Sequence, residues 1–415
     1  MRPANGFSLV AIIILLLLGA CGGGSSDDAI VTPEETNAPP ETLTTIKIGN
    51  ITDLTGPGAG GMELVNMALE DIVRYYNENN LIPGVELKVI HWDGQTDPAR
   101  IVPRYELLKH QGVQVFTTCA PGVAVTLKPR LEAEKEVLFS QVGEMEAIEP
   151  PGRVFCLGTV PENEAYTFLD WIAKYDWDYR NDGPARIGAA AWAEPYAIGF
   201  VKAMKEYAKV HPEQFQFVEG YLPEFKFNWS SEIESLKKCD YVFPPIIVHQ
   251  FARDIRNTGS EARLIGGAPH TAFFDMVSEA DAWPAIDGML FIYTGSWWHE
   301  DDKLMIIAEE ILRDYHPDNA EDIISRGSSY GGIGPYLMLC DIIAKTVEKT
   351  GPEGFNSEAL YQTAQSWSYP LEHADYNYGP EKRYMINALC VLEASAEKET
   401  VVKNDPNWYP VLTEP

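Results

Sequence analysis

The feature that most limits what this chain can fold into is a repeated unit of short apolar strand, small-residue loop and helix-patterned segment. Its first copy runs from Thr45 to Asn80. Thr45 to Ile51 alternates as a strand does, and Gly56, Gly58, Gly60 and Gly61 with Pro57 make a turn that brings backbone close to anything bound there. Leu64, Ala68, Leu69, Ile72, Val73 and Tyr76 then mark one face of a helix over Met62–Asn80. Further strands are predicted at Val85–Ile90, Val113–Phe116, Val137–Ser140 and Val154–Leu157. Helices are predicted from Asp97-Pro98 to His110, over Ala124–Lys135 and over Asn163–Tyr175. After the hydrophilic stretch Asp176–Pro184 a second series starts, with strands at Arg186–Ala191, Gln216–Gly220, Tyr241–Val248, Arg263–Gly266 and Gly288–Tyr293. Strands that alternate with helices of this length form parallel sheets with right-handed crossovers. Two series imply an α/β protein of two doubly wound parallel-sheet lobes.

In such sheets ligands sit beyond the carboxyl ends of the strands. That rule selects Thr55 and Gly56, Thr117–Ala120, Val142–Glu144, Trp192–Tyr196, His249 and Gln250, and Ala268–His270. Two facing lobes would bring these loops to one cleft. Trp92, Trp297 and Trp298 also stand near strand ends, although core packing is the commoner role of any one tryptophan.

The N-terminus sets the compartment. Arg2 precedes an apolar run from Leu9 to Leu18, too short to span a bilayer and of the length of a signal-peptide core. It closes on Leu18-Gly19-Ala20-Cys21, which resembles the bacterial lipobox, so Cys21 is the expected lipidation site and first mature residue. The Gly/Ser/Asp and then Thr/Pro/Glu-rich sequence to Thr44 cannot bury enough apolar surface to fold and reads as a tether. With 32 basic against 61 acidic residues, the net charge of −29 repels nucleic acid and anionic lipid surfaces, which leaves small molecules and proteins as partners. Six cysteines less Cys21 leave an odd number, so at most two bridges can form; Cys119 with Cys156 is one candidate, buried free thiols the other reading. No C-x-x-C, H-E-x-x-H or P-loop appears, and neither a metal nor a cofactor is expected.

Two motifs suggest other chemistry. Gly56, Gly58 and Gly61 spell G-x-G-x-x-G between strand and helix, with Asp93 beyond the next strand. Pro57 removes a donor from that cradle, and Asp93 lies farther along than the usual spacing of about 20 residues. Gly327-Ser328-Ser329-Tyr330-Gly331 matches G-x-S-x-G, with Asp341 and His373 following in hydrolase order. An elbow of that kind must leave a buried apolar strand, whereas Glu321–Arg326 is charged and helical in pattern.

The lipobox, IKIGNITDLTGPGA from Ile46, WDGQTDPAR from Trp92, TTCAPGVA from Thr117 and AEPYAIGF from Ala193, in that order, resemble the type 1 periplasmic binding proteins of ABC importers, the leucine/isoleucine/valine-binding family above all. The resemblance covers roughly residues 44 to 400. It implies two lobes joined by three crossovers, divided as 45–161 with 292–345 and 162–291 with 346–415, after a signal peptide (1–20) and a tether (21–44). By the family's pattern Thr118, Cys119 and Ala120 hold a ligand carboxylate, Val142, Gly143 and Glu144 assist, and Tyr196 packs on the ligand from the second lobe, with Trp192, His249 and His270 as further wall candidates. The sequence departs from that pattern at Glu144, where a threonine is usual, near Ala268–His270, where no acidic partner for an ammonium stands, and at Gly60 or Gly61 in place of an aromatic. These departures argue against a standard branched-chain amino acid. The implied function is an extracytoplasmic lipoprotein, tethered through the lipid on Cys21, that catalyses nothing. It would capture an amino-acid-like, amide or apolar organic acid solute and deliver it to an ABC permease. A secreted hydrolase using Ser329 and a sensor of the same fold are the alternatives.

Overall fold

A computed structural model describes residues 43–55, 59–95 and 97–415. The signal, the lipobox, the tether as far as residue 42, and the turn residues Gly56 and Gly58 lie outside the described residues, and Thr44, expected to end the tether, begins the first strand.

The first sheet has five parallel strands: β1 (Thr44–Thr52), β2 (Val85–Asp93), β3 (Val115–Thr118), β4 (Leu138–Ser140) and β5 (Val154–Cys156), in the order β2-β1-β3-β4-β5. Alternation along each strand feeds both faces. Ile46, Ile48, Val115, Phe139 and Phe155 point into one buried cluster; Ile51, Phe116, Leu138 and Val154 point into the other. The helix Ala59–Glu78 covers the first face with Leu64, Ala68, Leu69 and Ile72. The helices Pro98–His110 and Val123–Glu134 cover the second with Tyr105, Leu108, Leu127 and Leu131.

The second sheet is built on β6 (Ala185–Ala190), β7 (Phe215–Tyr221), β8 (Tyr241–Phe243), β9 (Arg263–Gly267) and β10 (Leu290–Tyr293), parallel in the order β7-β6-β8-β9-β10. A two-stranded ribbon of β11 (Ser368–Tyr369) and β12 (Tyr376–Asn377) precedes three strands absent from the sequence expectation. Of these, β13 (Ala388–Ser395) runs antiparallel beside β10, and β14 (Thr400–Lys403) and β15 (Tyr409–Pro410) pair antiparallel with β13. The second sheet is therefore mixed at one edge.

Boundaries shift for local reasons. The strand predicted over Tyr241–Val248 ends at Phe243 because Pro244 and Pro245 have no N–H to donate to a ladder. The helix predicted to begin at Asn163 begins at Pro161 and passes into a wider turn at Ile172–Asp176. All five cysteines from Cys119 onward are free, so the Cys119–Cys156 bridge is not formed.

The chain crosses between the sheets three times: after β5, after β10, and on the way to β13. Between the last two crossings, Ile333–Thr350 packs on Ala59–Glu78, and Ser357–Gln365 packs on Ile333–Thr350. The third crossing is pinned to the first sheet by Arg383, which is 2% exposed. Its Nε donates to the Gly152 carbonyl at 2.5 Å and its Nη1 to the carbonyls of Gly379 (2.5 Å) and Pro380 (3.1 Å), with the guanidinium over the Phe155 ring. The Cys156 N–H donates to the Arg383 carbonyl at 2.7 Å, so this segment lies alongside β5. Arg383→Leu removes the donor from three carbonyls and is expected to lower the unfolding free energy by about 2 to 4 kcal/mol, measured by urea denaturation.

Candidate functional site

A cavity of about 370 Å³ lies between the carboxyl ends of the two sheets. From the first sheet it receives Cys119 and Pro121 after β3, Gln141 to Gly143 after β4, and Leu157 to Thr159 after β5. From the second come Glu194 and Tyr196 after β6, Ile246 after β8, Pro269 and Phe273 after β9, and Tyr293 to Ser296 after β10. The first turn of Ala59–Glu78, the turn Ser328–Gly332, and His373, Tyr376 and Ile386 of the third crossing close it. The rule that ligands sit beyond strand ends thus selects its walls on both sides.

Of the ten residues expected to bind a ligand, Cys119, Val142, Gly143 and Tyr196 line the cavity. The other six do not, each for a definable reason. Thr118 is fully buried, donating from Oγ1 to the Ile51 carbonyl at 2.7 Å and accepting the Ala120 N–H at 3.0 Å. That bond consumes the Ala120 amide as well. Glu144 is 7% exposed and accepts the Gly122 N–H at 2.9 Å on Oε1, while its Oε2 is buried without a hydrogen-bond partner. Trp192 turns into an aromatic group with Phe225 and Trp229 and donates from Nε1 to the Lys226 carbonyl. His249 lines a separate shallow recess with Asn228, Gln250 and Asp254. His270 has no exposed surface: Nδ1 accepts the Gly267 N–H, Nε2 donates to the Pro244 carbonyl, and burial pushes its pKa down to about 4. It is a neutral structural histidine. Trp297 and Trp298 are likewise buried, donating to Thr400 and to the Gly327 carbonyl.

Several wall residues were not among the ten expected contacts. Glu164, on the first turn of Pro161–Trp171, accepts the Tyr196 phenol on Oε2 at 2.6 Å. Gly267 leaves room for that pair; a Cβ there would lie 2.0 Å from the phenol oxygen. Glu194 caps the helix Pro195–Val210, accepting the N–H groups of Tyr196 and Ala197. Asp302 caps Lys303–Tyr315, with Oδ2 3.8 Å from His373 Nδ1. Burial raises the pKa of Glu164 to about 8, against the Tyr196 hydrogen bond, and raises those of Glu144 and Glu194 against their backbone bonds. Among the described lining residues there is no Lys or Arg.

The competing motifs do not assemble. Asp93 is occupied by its own loop: burial opposes ionisation, but hydrogen bonds from Thr55, Leu54 and Gln95 outweigh it and hold the carboxyl at about 2. Ser329 lies in a short turn, Ser329–Gly332, and donates to the Ala272 carbonyl, while Asp341 is bound by Trp367 Nε1 and Lys345, so it cannot orient His373. Among the described residues, no group of three or more His, Cys, Asp or Glu side chains could hold a metal ion.

Two facing carboxyl edges, three crossings and a cavity between them decide the class of fold, and sequence comparison agrees. The family described as "Periplasmic binding protein" matches residues 45–209. The fold is that of the type 1 periplasmic binding proteins. A branched-chain amino acid ABC transporter protein from Thermus thermophilus with bound valine superposes with a TM-score of 0.74 at 20% identity, over 89% of this chain and 97% of that one. A solute-binding protein from R. palustris in complex with 4-hydroxybenzoate gives 0.71 at 15% identity, over 88% and 97%. A fatty acid ABC transporter substrate-binding protein from Thermomonospora curvata gives 0.69 at 16%, over 87% and 92%. No curated protein sequence matches the chain. The resemblance read from the sequence motifs therefore holds at the level of fold, with the family match confined to residues 45–209, and four of the ten expected contacts line the cavity.

Because the folded pKa of Glu164 lies above that of an unfolded glutamate, the folded state holds its proton where the unfolded state has lost it. Stability should therefore fall as pH rises from about 4.5 to about 8, by on the order of 3 to 5 kcal/mol from this group alone. Glu164→Gln keeps an acceptor for Tyr196 and should flatten much of that slope, leaving the smaller contributions of Glu144 and Glu194, which have the same sign. Thermal denaturation of both proteins across that pH range measures the difference.

Proposed function

We propose that this chain is the solute-binding lipoprotein of an ABC importer, held outside the cytoplasm by a lipid on Cys21, which captures a small organic solute between its lobes and presents it to a permease. The observation that carries the proposal is the cavity lined from the carboxyl ends of both sheets, whose two walls are joined by the three crossings and by the contacts of Thr271 and Ala272 with Ser328 and Ser329. Solute-binding proteins with this fold carry valine or 4-hydroxybenzoate, and another is named for fatty acids, so the fold accommodates varied small solutes. The lobes divide at the crossings, with the helix Ser357–Gln365, expected in the second lobe, assigned in this proposal to the first because it packs on Ile333–Thr350.

In this proposal Cys119, Val142, Gly143 and Tyr196 contact the solute, while Thr118, Ala120 and Glu144 shape the loop behind them. Trp192, His249 and His270 are not carried forward as contacts. Capture would proceed by hinge motion at the crossings, with selectivity set by which buried polar groups the solute satisfies. No helix of the described residues is long and apolar enough to cross a membrane.

Small amino acids, amides, amines and aromatic or aliphatic acids should include at least one that raises the melting temperature of the purified protein and lowers its radius of gyration in solution scattering. No shift in either quantity across the set would refute capture. Cys21→Ser should move the protein from the membrane to the soluble fraction after cell lysis; retention on the membrane would refute the lipid anchor.

A further inference from the structure

The cavity's polar groups point to the charge of its solute, on the condition that the capture proposal holds. Three carboxyl side chains line it, Glu164, Glu194 and Asp302, and Glu144 stands behind its wall with one oxygen buried and unpartnered. No lysine or arginine among the described lining residues balances them. His373, the remaining basic side chain there, is held below its ordinary pKa by burial and is neutral near pH 7.

Several groups that would receive a carboxylate are already in use. The hydroxyl of Thr118 donates to Ile51, the Ala120 N–H to Thr118, and the Gly122 N–H to Glu144. Ser329 donates to the Ala272 carbonyl, and Thr271 donates to Ser328. A ligand carboxylate placed beside this loop would find the Gly122 N–H already taken by Glu144 and would lose its water without that donor in exchange.

Glu164 differs from its neighbours. Both oxygens of Glu194 take backbone N–H groups, and Asp302 caps a helix, whereas Glu164 receives one bond, from Tyr196, on Oε2. The groups facing it are the Tyr196 phenol, the Glu162 carboxyl and the Cys156 thiol, none of them a cation.

We infer that the cavity takes a protonated amine on an apolar body without a carboxylate, its ammonium paired by Glu164 and its body against Met62, Phe273, Met305 and Ile386. An ammonium supplies what the site lacks, a charge-assisted donor for a buried carboxyl oxygen.

Matched probes test this by calorimetric titration of the full chain: phenethylamine, phenethyl alcohol, hydrocinnamate and phenylalanine, with isoamylamine, isocaproate and leucine as an aliphatic set. The amines should bind about tenfold or more tighter than the acid and the zwitterion of the same skeleton. Glu164→Gln should weaken phenethylamine by about tenfold and leave phenethyl alcohol within about threefold, since only a charged partner feels the loss of the carboxylate. An acid or zwitterion that outbinds its amine, or equal weakening of amine and alcohol in Glu164→Gln, overturns the charge assignment and leaves solute capture standing. Silence from all seven probes, with the melting temperature and scattering also unmoved by the wider solute set, overturns both.

Discussion

Everything in this molecule follows from sheets that are buried on both faces. In β1, Ile46 and Ile48 serve one helix layer and Ile51 the other, and β3, β4 and β5 divide their side chains in the same way. A strand whose two faces are both covered has no room for polar chemistry along its length. Polar groups are therefore driven to the loops past its end, and in a parallel sheet all those ends lie on one edge. Turning two such edges toward each other encloses a cavity without any change to either core. The three crossings are then the places where the geometry of that cavity is set, which is why a buried arginine at the third of them holds backbone carbonyls and not a carboxylate.

How far the sequence could be read follows from the same division. Periodicity located each parallel strand to within a few residues, because alternation and helical spacing are local properties. The antiparallel strand β13 escaped because Ala388–Leu392 is buried throughout and shows no alternation. At the site, the loops were legible and their side chains were not. Thr118 carries the hydroxyl that a carboxylate site would use, but its partner is the Ile51 carbonyl on the neighbouring strand, 67 residues earlier in the chain. Nothing within either segment announces that bond. Glu164 was missed for the converse reason: it lies on a helix that reads as ordinary amphipathic sequence, and only the fold brings it to the Tyr196 phenol.

Glu144 shows how one substitution can redirect a site built on a shared fold. A threonine at that position would add a hydroxyl to the wall. A glutamate instead takes the Gly122 N–H for itself and leaves a second oxygen buried. The Gly122 amide is thereby withdrawn from any ligand. Residues in loops can be exchanged in this way without disturbing the sheets, so the fold persists at 20% identity or below while the chemistry at the strand ends changes.

The buried carboxyl groups also bear on the energetics of closure. Their pKa values are raised mainly by burial, so each resists ionisation. The free energy of the unliganded protein is accordingly higher than it would be with apolar residues at those positions. A solute that satisfies one of them recovers part of that cost only when it is enclosed, because solvent screens the same interaction in an open cleft. Binding energy of this kind favours the closed arrangement over the open one, and a differential of that sort is what a ligand must supply if it is to shift a two-state equilibrium. Contacts with the apolar wall contribute as area leaves water, whichever solute provides the area. Under the proposed capture mechanism the buried acids would bear on selectivity and on the coupling of capture to closure, while the apolar wall would set the size of what is held.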